Sequence, residues 1–135
     1  MNYKEEMIKF FKNYSKTIVN EEYKVKVDLS YSYGKVNDKL SRKWIRNLKN
    51  HFNSKGFRFE GLYVNEFSKL YRLHNHCVFW FSCDLDLGKK LIKDYWKKIG
   101  TTDIDSYNPN ENYCEYMLKY IDYNSKSSWE FIENL

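Results

Sequence analysis

Two long apolar runs stand almost back to back in this chain. They are residues 57–67, FRFEGLYVNEF, and residues 71–83, YRLHNHCVFWFSC. Both are rich in aromatic and branched residues, which favour strands. The polar link between them, around Ser68 and Lys69, is short enough to predict an antiparallel β-hairpin. Patterning on either side supplies the covering elements. Residues 1–19 place Met7, Phe10, Phe11, Tyr14 and Ile18 at helical spacing. Residues 23–33, YKVKVDLSYSY, alternate as a strand does, and GKVNDK breaks the pattern. A helix is predicted from a Ser41 cap to about Ser54, with Trp44, Ile45, Leu48 and Phe52 on one face. Lys55-Gly56 closes it.

After the hairpin, residues 87–99 read as a helix with Leu91, Ile92, Tyr95 and Trp96 inward and Gly100 as its stop. Residues 101–107 read as a short strand, and Asn110 as the cap of a helix reaching about Tyr123. The order αβαββαβα predicts an α+β fold: an antiparallel-containing central sheet with flanking helices, of the ferredoxin or RRM type. Length and the scarcity of linker residues, one proline and five glycines in 135 residues, predict a single domain over 1–135. Within it, 1–20 is an N-terminal helix and 21–135 the core.

Composition narrows the function classes. Aromatic residues make up 19% of the chain, which excludes a disordered polar segment. The formal net charge of +5, joined to that aromatic content, suits a nucleic-acid partner, because bases stack on aromatic faces. An AT-rich coding sequence yields the same Lys, Asn, Tyr, Ile and Phe bias, so composition alone leaves the question open. The three cysteines, Cys77, Cys83 and Cys114, fit no zinc module. They suggest a reducing cytoplasm, the host's if the chain is viral. Residues 1–12 are charged throughout, so no secretory leader is expected there. No apolar run is long enough for a membrane span.

The residues able to carry chemistry fall in two groups. His74 and His76 lie at i and i+2 of a strand and project to one side. Two neutral imidazoles side by side suit a divalent ion, although such a pair is also an ordinary polar strand face. In a hairpin turning near residues 68–71, Glu66 comes opposite His74. Its carboxylate would complete a mixed nitrogen and oxygen set suited to Mn²⁺ or Mg²⁺, unless it is only a solvated edge acid. The second group is the helical segment 113–123. Tyr116 and Tyr120 share a face one turn apart, about 6 Å along the axis. Lys119 lies on the adjoining face. A neutral phenol is a weak nucleophile, with a pKa near 10. It attacks phosphorus only where phosphate charge is offset, which the metal and Lys119 would do. Tyrosines at this spacing also pack ordinary cores.

Taken in chain order, these pieces resemble the HUH endonucleases, and among them the rolling-circle replication initiators (Rep proteins) of small viruses and plasmids. The resemblance spans about residues 24–123. VDLSYSY (27–33) is a loose match to the family's early strand motif. GLYVNEFSKLYRLHNHCVFWF (61–81) is similar to its acid-then-histidines region, with Glu66 at the acid position and His74 and His76 at the histidines; Asn75 replaces the bulky middle residue. Tyr116-Met-Leu-Lys119-Tyr120 is similar to the longer tyrosine motif, with Tyr123 where a second lysine is usual. The resemblance implies an HUH fold and a metal site of His74, His76 and Glu66 holding Mn²⁺ or Mg²⁺. It implies that Tyr116, or its rival Tyr120, assisted by Lys119, attacks single-stranded DNA and keeps the 5′-phosphate.

Arg72, Lys119, Tyr31 and Tyr33 are the expected DNA contacts. The expected substrate is a replication origin, acted on by a monomer or homodimer away from membranes. A helicase does not fit in this length, so unwinding would need a host enzyme, such as a host helicase working with a host polymerase, or another chain. Three other readings share parts of the pattern: a single-tyrosine transposase, a relaxase, and an RRM-like module stacking bases on Tyr31, Tyr33, Phe79 and Phe81.

Overall fold

The computed structural model describes residues 5, 6, 9, 24–32, 36–67, 72–106 and 129–132. Its elements are β1 (Lys24–Ser30), α1 (Asp38–Ser54), β2 (Phe59–Phe67), β3 (Leu73–Phe81), α2 (Leu85–Trp96), β4 (Thr102–Ser106) and β5 (Trp129–Ile132). The five strands form one sheet in the order β4-β1-β3-β2-β5, and every neighbouring pair is antiparallel. β1 and β2 therefore run parallel to each other on either side of β3. Strands so related need a crossover, and α1 is that crossover. α2 does the same between β3 and β4. The result is the α+β, ferredoxin-like arrangement expected from the element order.

Side-chain parity sets the two faces of the sheet. Val25, Val27 and Leu29 of β1 pack with Phe59 and Tyr63 of β2 and Cys77, Phe79 and Phe81 of β3 under the helices. α1 contributes Ile45, Leu48 and Phe52, and α2 contributes Leu91, Ile92 and Trp96. Phe52 meets Phe59 at 4.8 Å between ring centres, and Phe59 meets Phe79 at 4.7 Å. Each such ring, fully buried, contributes roughly 1.5–3 kcal/mol of transfer free energy. Leu62, Val64, Val78 and Trp80 point to the opposite face and are buried as well. A strand covered on both sides reads as a near-continuous apolar run. That accounts for the character of the two runs that dominate the sequence.

Several boundaries differ from expectation for identifiable reasons. α1 begins three residues before Ser41. Asn37 caps it, its side-chain oxygen accepting from the Leu40 N–H at 2.8 Å. Ser41 is fully buried instead. α1 closes as expected at Gly56, whose φ of 84° is in the left-handed region. α2 starts at Leu85 rather than Leu87, because Asp84 caps it through the Leu87 N–H at 2.9 Å. It ends at Trp96, before Gly100. Gly100 is small for another reason: a Cβ there would collide with the Ser30 carbonyl. The Trp96 indole N–H donates to that same carbonyl at 2.9 Å.

β5 is an addition to the elements expected from the sequence. It is held by Glu130, which accepts from the Tyr63 hydroxyl at 2.6 Å and pairs with Arg42 at 3.0 Å and Arg46 at 2.5 Å. Of the expected N-terminal helix, residues 5, 6 and 9 are described, and they are helical. The hairpin link 68–71 and the helix expected over 110–123 lie outside the described residues.

Candidate functional site

β3 is the middle strand of the sheet, and it divides its polar residues between the two faces. Asn75 turns toward the helices, whereas His74 and His76 turn away from them. β2 brings Glu66 level with His74, as the hairpin predicts, and Val64 level with His76. From the other side, β1 brings Ser30 level with His74 and Asp28 level with His76.

His76 is the centre of this group. Its Nδ1 lies 3.0 Å from Asp28 Oδ1, and its Nε2 lies 3.4 Å from Glu66 Oε1. The His76 side chain is 12% exposed, while both carboxylates are 37% exposed. Burial alone would lower the imidazole's pKa. The hydrogen bonds and negative charges of Asp28 and then Glu66 outweigh burial and hold it above its ordinary value. The site favours positive charge at this ring.

Among the described residues, no group of three His, Cys, Asp or Glu side chains is arranged to hold a metal ion. Two donors nevertheless stand near ligand spacing. Atoms each about 2.1 Å from one octahedral ion are about 3 Å apart, and His76 Nε2 and Glu66 Oε1 are 3.4 Å apart. His74 is the next imidazole on the same face. The donor chemistry, imidazole with carboxylate, is a mixed nitrogen and oxygen set of a kind that divalent ions take.

The remaining expected contacts separate. Arg72 is exposed one residue before β3. Tyr33, Tyr116, Lys119 and Tyr120 lie outside the described residues. Tyr31 has a different place from the one expected. It is 8% exposed, its ring packs against Trp44 at 5.5 Å and Trp96 at 5.4 Å, and its hydroxyl bonds Ser41 Oγ at 2.8 Å and Asn75 Oδ1. A ring enclosed by two tryptophans offers no face to a base. Phe79 and Phe81, the sheet aromatics of the RRM-like alternative, are likewise core residues. Among the described residues Cys77 and Cys83 are free, buried thiols.

Asp28 is the residue that sequence reasoning passed over. Its signal was present in VDLSYSY, where one acid interrupts the polar parity of a strand whose other parity is Val25, Val27 and Leu29. Nothing in the sequence said that this strand would lie beside the histidines rather than at the sheet's edge.

The fold and this face define an α+β sheet domain with a histidine-carboxylate group at its centre. The chain belongs to the ORF2-type family of replication-associated proteins, whose profile matches residues 26–125. Asp28, Glu66, His74, His76, Tyr116, Lys119 and Tyr120 all fall within that span. Neither the curated proteins nor the solved structures gave a match. Among the described residues, no helix is long and apolar enough to cross a membrane.

Proposed function

We propose that this chain is an HUH-type nickase that cuts and rejoins single-stranded DNA at a replication origin. One observation carries the reading most: the central strand of a replication-associated domain presents His76 with Glu66 at 3.4 Å, and His74 beside them on the same face. His74, His76 and Glu66 would hold Mn²⁺ or Mg²⁺, which when bound offsets negative charge on the scissile phosphate. Tyr116 supplies the nucleophile, and Lys119 neutralises charge on the same phosphate. The Tyr116 oxygen bonds to phosphorus as the P–O3′ bond breaks, and the departing 3′ oxygen takes up a proton. The chain then carries the 5′-phosphate as a phosphotyrosine. A later 3′-hydroxyl reverses the step, so neither ATP nor water is consumed. Arg72 and Lys119 bind backbone phosphates, which makes binding weaken as salt rises.

The test is incubation of the protein with short random-sequence single-stranded DNA and Mn²⁺, followed by a denaturing gel. A covalent adduct mapping to Tyr116 is expected, and a chelator added before the DNA should prevent it from forming. An adduct on Tyr120 alone would reassign the nucleophile within the same reaction. Salt-sensitive binding without any adduct would favour a non-catalytic nucleic-acid module.

A further inference from the structure

We propose that Asp28 is a positioning residue that fixes His76 as its Nδ1–H tautomer and thereby aims the Nε2 lone pair at Glu66. The role of that lone pair as a ligand rests on the nickase reading; the tautomer does not. A neutral imidazole has one N–H, and its other nitrogen is an acceptor. An ionised carboxylate only accepts. Asp28 Oδ1 is the nearer carboxylate oxygen, 3.0 Å from Nδ1 against 3.4 Å between Glu66 and Nε2. The proton of the neutral ring therefore belongs on Nδ1.

Nε2 and Glu66 Oε1 are then two lone-pair atoms facing each other. Such a pair repels unless a proton or a cation lies between them. The geometry thus creates a place for positive charge and turns a basic nitrogen toward it. A carboxylate behind a ligating histidine also makes the imidazole a better donor.

The mounting of Asp28 suits this role. β1 is hydrogen-bonded to β3 on one side and β4 on the other, with Val27 and Leu29 sealed in the core on either side of Asp28. The carboxylate is carried on a strand that cannot shift without disturbing that core. Side chains on such elements hold geometry better than those on loops.

The experiment uses the full chain, ¹⁵N-labelled and metal-free, at a pH above the titration of His76. Long-range ¹H–¹⁵N imidazole spectra report the tautomer, and calorimetry with Mn²⁺ reports affinity. Wild type should show Nδ1–H at His76. Asp28→Ala should release the ring to the Nε2–H form and weaken Mn²⁺ binding about 10- to 100-fold. Asp28→Asn retains an oxygen that accepts the Nδ1–H bond, so it should keep the tautomer and recover part of the affinity. Nε2–H in the wild type, or an unchanged tautomer in Asp28→Ala, overturns the proposal. A wild-type protein with the Nδ1–H form but no Mn²⁺ binding supports the positioning by Asp28 and overturns the metal reading instead.

Discussion

Asn75 and His76 are neighbours in the chain, yet they belong to two polar groups of opposite character. Beneath the helices, the Asn75 amide donates to Ser41 Oγ at 2.9 Å and to Asn65 Oδ1 at 2.6 Å, and its oxygen meets the Tyr31 hydroxyl. That group is enclosed and built around uncharged side chains: Asn75 is fully buried, its amide and carbonyl both have partners, and a carboxylate is met only at the margin, where the Asn65 amide donates to Asp38 at 3.5 Å. On the other face, His76 sits between two carboxylates that remain 37% exposed. A closed neutral network is what a polar group needs to be tolerated in a core. An open, charged one still faces solution. Burial and charge, rather than polarity itself, separate the structural group from the candidate site.

The comparison breaks most sharply if the two groups are removed in turn. Replacing both His74 and His76 by Ala should eliminate the covalent DNA adduct, while the thermal melt stays close to wild type. Cleavage surviving that double change would mean that the open group is not the site. Asn75→Leu should do the reverse. It leaves Tyr31, Ser41 and Asn65 short of partners in the core, at a cost of about 2–4 kcal/mol in urea unfolding. The fraction that folds should still nick DNA. Tyr31→Phe removes one hydroxyl and keeps the ring between its tryptophans, so about 1–2 kcal/mol of stability should be lost. Single-stranded DNA affinity should not change; a marked fall would return Tyr31 to the DNA surface.

The smallest expected effect is on pH dependence. His76 has a folded-state pKa above its unfolded value. Its contribution to stability is therefore fully present below the unfolded pKa of about 6.5 and is lost as pH rises through the folded value. The metal-free urea midpoint should decline across that window. In His76→Ala this part of the decline should vanish, whereas Asn75→Leu should retain it. The Asn75 network contains no histidine, so it has no matching dependence.

Much of this contrast is legible in the sequence, and the rest is hidden for particular reasons. The hairpin and the alignment of Glu66 with His74 follow from two apolar runs and a short polar break. Both are local, and local pairing leaves marks in sequence. Tyr31 departs from its expected place because parity outweighs composition. It has the same parity as Val25, Val27 and Leu29, and parity puts it in the core. Asp28 is hidden because strand order is non-local: that β1 lies beside β3 depends on how the crossovers close. β5 escapes because four residues, WEFI, are too few to show a period, and its anchor lies in Glu130's contacts with distant arginines. The tyrosine segment 113–123 lies outside the described residues.

β3 lies in the interior of the sheet, with β1 and β4 to one side of it and β2 and β5 to the other. Amide exchange in such a sheet proceeds from the rim inward, and interior strands open only with much of the domain. Backbone amides around His74 and His76 should therefore rank among the slowest to exchange, and those of β4 and β5 among the fastest. Fraying at the rim on the microsecond-to-second scale would loosen peripheral contacts many times over while the imidazoles keep their spacing. The lifetime of the histidine group should then follow global unfolding, not the breathing of β4 and β5.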